Sequence, residues 1–66
     1  MLFGIDPMFA VLPSGDDFVR EDALFYTDLE VAYDSALDWS AELGGRVVYI
    51  YERYKKDYKI IEKVWA

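Results

Sequence analysis

A single helix, bounded at both ends by its own residues, is what most constrains the fold of this chain. Thr27-Asp28-Leu29-Glu30 has the pattern of a capping box. In that arrangement the Thr27 hydroxyl and the Glu30 carboxylate each satisfy a backbone amide that the first helical turn leaves without a partner. Tyr26 and Val31 stand at the flanking staple positions, and Asp28 adds negative charge at the positive end of the helix dipole. Gly44-Gly45 supplies the left-handed residues that end a helix. The spacing therefore predicts a helix from about Asp28 to Leu43.

Along it, Leu29, Ala32, Tyr33, Ala36, Trp39 and Leu43 recur on one stripe. Glu30, Asp34, Asp38 and Glu42 follow one another every fourth residue on the opposite side. The sequence thus describes a helix with a greasy face and a carboxylate ridge.

The rest of the chain reads as strand. Arg46 to Glu52 is β-branched and aromatic, Tyr58 to Trp65 continues the pattern, and Arg53 to Asp57 is expected to be the loop between them. Before the helix, Met8–Leu12 and Ala23–Tyr26 read as two further strands, the first closed by the turn signal Pro13-Ser14-Gly15-Asp16. Residues 17–22 fit a strand or a short helical turn equally. The order ββαββ predicts an α+β fold in one small domain spanning 1–66: an antiparallel sheet with one amphipathic helix on one face.

Composition narrows the chemistry. The 66 residues include no cysteine and no histidine. No disulfide, thiolate nucleophile or zinc cluster is therefore available, and the usual general base near neutral pH is missing. The carboxylate pairs Asp16-Asp17 and Glu21-Asp22 read more simply as turn chemistry than as an acid–base couple. The sequence gives no reason to expect an enzyme, a cofactor or a metal, and none of its residues is assigned a catalytic role. No stretch is long and apolar enough to span a bilayer, and Met1-Leu2-Phe3-Gly4-Ile5 lacks the basic start of a signal peptide. A cytoplasmic location without membrane attachment is the expectation.

Charge is distributed unevenly. Residues 1–44 carry ten acids against Arg20 alone, a balance of −9, and residues 45–66 carry six bases against three acids, a balance of +3, which together give the overall −6. Like charges at i,i+4 cost a helix about 0.2–0.5 kcal/mol per pair, so the ridge of Glu30, Asp34, Asp38 and Glu42 does not serve helix stability. Such a row suits either a solubilising face or a docking face for a basic surface on another protein.

Two further surfaces follow from strand alternation. If Val48 and Ile50 face the helix, Val47, Tyr49 and Tyr51 lie on the opposite side of the sheet. There they would form a homodimer interface or lie under a cover folded from Leu2 to Phe9. Arg53, Lys55, Lys56, Lys59 and Lys63 alternate with Tyr54, Tyr58 and Trp65, a pattern that can grip single-stranded nucleic acid. The surplus of +3 is too small, and the acidic remainder too repulsive, for nucleic acid to be the expected partner.

The run Phe25-Tyr26-Thr27-Asp28-Leu29-Glu30-Val31-Ala32, followed by Ala36, Gly44-Gly45 and a Tyr/Val-rich strand, resembles small accessory proteins encoded by bacteriophages. More loosely, it is similar to the small inhibitors of host RNA polymerase made by T7-like phages. The resemblance covers residues 23–53 and transfers no functional residue. It implies a class of action, that of binding and modulating a host protein inside the host cell.

Overall fold

In a computed structural model, which describes residues 8–15, 22–55 and 57–66, four strands and one helix follow in the order β1 (Phe9–Leu12), β2 (Leu24–Tyr26), α1 (Leu29–Glu42), β3 (Val48–Tyr54) and β4 (Asp57–Val64). Every neighbouring pair is antiparallel, and the sheet runs β2-β1-β3-β4. This is the α+β architecture that the sequence pattern predicts.

The ends of α1 show how the sequence sets its limits. The N-cap is Asp28 rather than Thr27. Its backbone is extended (φ −118°, ψ 127°) and its carboxylate accepts the Glu30 amide at 2.9 Å. Either residue type can cap, and here it is Asp28 that stands directly before the first helical residue, Leu29. The shift moves Glu30 one place out of capping-box register, and Val31 lies exposed instead of stapled. At the other end, the Gly44 amide donates to Ala41 O (3.1 Å) and the Gly45 amide to Ser40 O (2.8 Å). Both glycines have positive φ, 76° and 91°, which a residue with a Cβ adopts only with strain.

The buried seam of α1 is Ala32, Ala36 and Ser40, with Leu37, Trp39 and Leu43 wedged along its sides. Leu29 and Tyr33, expected on the buried stripe, are each 43% exposed. Small side chains at the centre let the helix axis approach the sheet, and the larger ones fill the flanks. The seam meets Phe9, Val11, Val48, Ile50 and Val64 of the sheet in one apolar core. Removing those side chains from water is the main source of stability in so short a chain.

Ser40 is fully buried and fully satisfied. Its hydroxyl donates to the Arg46 carbonyl at 2.6 Å and accepts the Ala66 amide at 2.9 Å. One side chain thereby ties the end of the helix to the approach to β3 and to the residues after β4.

The second face of the sheet carries its own small core of Ala10, Leu12, Ala23 and Tyr51, with Tyr49 and Tyr58 against it. The hairpin of β3 and β4 is tighter than the sequence suggests. Tyr54 pairs with Asp57, leaving only Lys55 and Lys56 between the strands, and Lys55 has φ 58°. A two-residue turn with positive φ matches the right-handed twist of the strands it joins. Arg53 therefore belongs to β3 and not to a loop.

Candidate functional site

Glu30, Asp34, Asp38 and Glu42 are all exposed along the outer face of α1. The helix brings three of them to something the sequence did not reveal. Between α1 and β2 lies a groove of about 460 Å³ whose floor and walls are Leu24, Tyr26, Val31, Ser35 and Trp39. Asp34, Asp38 and Glu42 stand along it. Glu30 does not line it.

The groove forms because β2 is a short edge strand and α1 crosses the sheet beside it. β2 offers Leu24 and Tyr26 on the helix side, since they pair with Val11 and Phe9, whose side chains belong to the core under the helix. Tyr26 reaches up from the strand, and its hydroxyl shares a 2.6 Å hydrogen bond with Ser35 Oγ. Two polar groups are thus matched inside the groove, which leaves its floor apolar and its rim anionic. Chemically, this arrangement suits a side chain with an aliphatic or aromatic stem and a cationic head. The stem would lie on Trp39 and Val31 and the head would meet the carboxylates.

The other surface residues are dispersed. Val48 and Ile50 face the helix as expected, and Tyr49 and Tyr51 lie on the opposite face. Tyr51 is 1% exposed, with its hydroxyl donating to Ser14 O at 2.8 Å. Tyr49 is half-buried, and a Cβ placed on Gly15 would come within 3.0 Å of its ring. The turn after β1 therefore crosses this face, and a buried Tyr51 offers no area to a partner there. Val47 is half-buried. Of the cover expected from Leu2 to Phe9, residues 2–7 lie outside the described residues, and Phe9 sits in β1 facing the helix. Asp16, Asp17 and Glu21 are likewise outside the described residues.

On the hairpin, Lys55 and Lys59 approach the Tyr54 ring, with Nζ at 5.7 and 5.2 Å from its centroid. Both lysines therefore serve an intramolecular cation–π contact. Lys56 falls outside the described residues.

No known protein family, characterised protein or solved structure matches this chain. Among the described residues no helix is long and apolar enough to cross a membrane, and no three Asp or Glu side chains gather as a metal cage would require. The groove's signal in the sequence was half visible: the carboxylate spacing is legible, whereas the pairing of β2 with the flank of the helix is a tertiary relationship.

Proposed function

We propose that this chain is a non-enzymatic protein-binding module that docks a basic, amphipathic segment of another protein along the acidic side of α1. The observation that carries this reading is the groove itself, where Tyr26, Val31 and Trp39 form an apolar surface immediately beside Asp34, Asp38 and Glu42. A solubilising face needs only the carboxylates. An apolar strip bordered by them adds the desolvated contact area, rich in Trp and Tyr, on which binding energy concentrates. The surrounding charge favours the same class of partner, because a net −6 steers cationic surfaces inward and repels nucleic acid.

The likeness of residues 23–53 to small bacteriophage accessory proteins fits a partner in a host cell, whose activity would be modulated by occupation of a basic surface. The alternative of a homodimer through Val47, Tyr49 and Tyr51 has less support, since Tyr51 lies beneath Ser14.

The test is capture of partners from host lysate on immobilised wild-type chain and on Asp34→Lys/Asp38→Lys, compared at physiological salt. A specific partner retained by the first and lost from the second supports the proposal. Equal retention on both reduces the ridge to a solubility face.

A further inference from the structure

We infer that two copies of this chain pair through β4, antiparallel about a two-fold axis, joining their sheets edge to edge. β4 lies at the border of the sheet and is eight residues long, whereas the opposite border, β2, has three. Edge strands are commonly kept short or covered, because their outward amides and carbonyls invite a further strand. β4 is neither. Ile60 and Ile61 are each 39% exposed and Trp65 is 60% exposed. Together with Glu62 and Lys63 they line a shallow depression of about 370 Å³.

The occupant follows from a bulge. Tyr51 pairs with Ile60 and Ile50 with Glu62, so Ile61 is an extra residue in β4. Residues three apart in a regular strand point to opposite faces. Here Lys59 pairs with Glu52 and Glu62 pairs with Ile50. Glu52 and Ile50 are two apart on β3, so the bulge brings Lys59 and Glu62 to the same face of β4.

A two-fold antiparallel register with Ile60 opposite Ile61 of the second copy then sets Lys59 opposite Glu62 of the second copy, and Glu62 opposite its Lys59. Both pairs share a face, and the two bulges coincide instead of interrupting the ladder. A slip of one residue would set Glu62 opposite Ile60 and Lys59 opposite Lys63, which lies on the other face, so neither ion pair would form. The lysines and the bulge would discourage an arbitrary strand from adding here. In this one register they select a second copy, and the isologous symmetry is that of most homodimers. This interface lies across the sheet from β2 and its groove, so it stands or falls separately from the docking proposal.

Sedimentation equilibrium of the full chain from about 10 μM to about 1 mM tests it, with wild type, Lys59→Glu, Glu62→Lys and the exchanged double variant Lys59→Glu/Glu62→Lys. Far-ultraviolet circular dichroism checks that each is folded, and Glu62→Lys alters an exposed site. The expected result is a wild-type mass of twice 7.7 kDa within that range. Each single variant should weaken dimerisation at least about tenfold, and the exchange should restore it. A wild type monomeric throughout would overturn the inference. So would a dimer indifferent to the single charge reversals, or one that the exchange fails to rescue.

Discussion

The Tyr26 hydroxyl and Ser35 Oγ meet at 2.6 Å, linking the last residue of β2 to the second turn of α1 inside the groove that the acidic side chains border. That bond fixes the spacing between edge strand and helix. Tyr26→Phe should cost about 0.5–1.5 kcal/mol in urea unfolding, the usual contribution of a partly buried hydrogen bond. It leaves the Ser35 hydroxyl in reach of water, so the loss should stay within that range. A larger loss would mean that the tyrosine ring itself had moved.

The closure at Ser40 makes a larger demand. Its hydroxyl is buried and serves both the Arg46 carbonyl and the Ala66 amide. Ser40→Ala leaves both without their partner and should cost about 1–3 kcal/mol. Hydrogen exchange should quicken at the Ala66 amide before it quickens in β1. Unchanged protection at Ala66 would show that the bond is not maintained in solution.

Ala36 sits at the centre of the helix–sheet seam with no exposed surface. Ala36→Leu would force the helix away from Val48 and Ile50, at a cost of about 1–3 kcal/mol for overpacking. A substitution at the flank, Tyr33→Ala, should cost less, because Tyr33 is 43% exposed and lies outside the seam. Thermal melts of the two variants check the contrast.

Lys55 holds φ 58° in the two-residue turn of the β3–β4 hairpin. A side chain in that region costs about 1 kcal/mol or slightly more. Lys55→Gly should therefore stabilise the chain by about 0.5 kcal/mol or more, after allowing for the greater freedom of glycine when unfolded. A destabilised variant would show that the cation–π contact of Lys55 with Tyr54 outweighs the backbone strain.

Much of this architecture can be read from the residues in order, and the parts that cannot share a cause. The helix and its glycine stop are local, so Gly44-Gly45 announces them. Four strands around one helix follow from β-branched and aromatic runs. Thr27 and Asp28 are adjacent and both suited to cap, so spacing alone does not decide between them. Hydropathy favours Leu29 and Tyr33 for the buried stripe, yet close approach to a sheet selects Ala32, Ala36 and Ser40. The partners of Ser40 lie 6 and 26 residues away, and Tyr51 is covered by a turn 37 residues earlier in the chain. The carboxylate ridge was visible as a pattern. Its apolar neighbour was not, because Leu24 and Tyr26 join Val31 and Trp39 only when β2 packs beside the helix.

Trp39 stands in the groove and reports on its occupation, provided that the exposed Trp65 is silenced by Trp65→Phe. The most direct measurement is a fluorescence titration of that variant with a short amphipathic peptide alternating Arg and Leu, at about 0.15 M salt. It is repeated with Asp34→Asn/Asp38→Asn added. Removing those like charges should leave the helix equally or slightly more stable, by about 0.2–0.5 kcal/mol per pair relieved. The account predicts a saturable shift in Trp39 emission that weakens at least about tenfold when the two carboxylates are neutralised. Saturable binding of equal strength in both proteins, or no change at Trp39 at any peptide concentration, would contradict it.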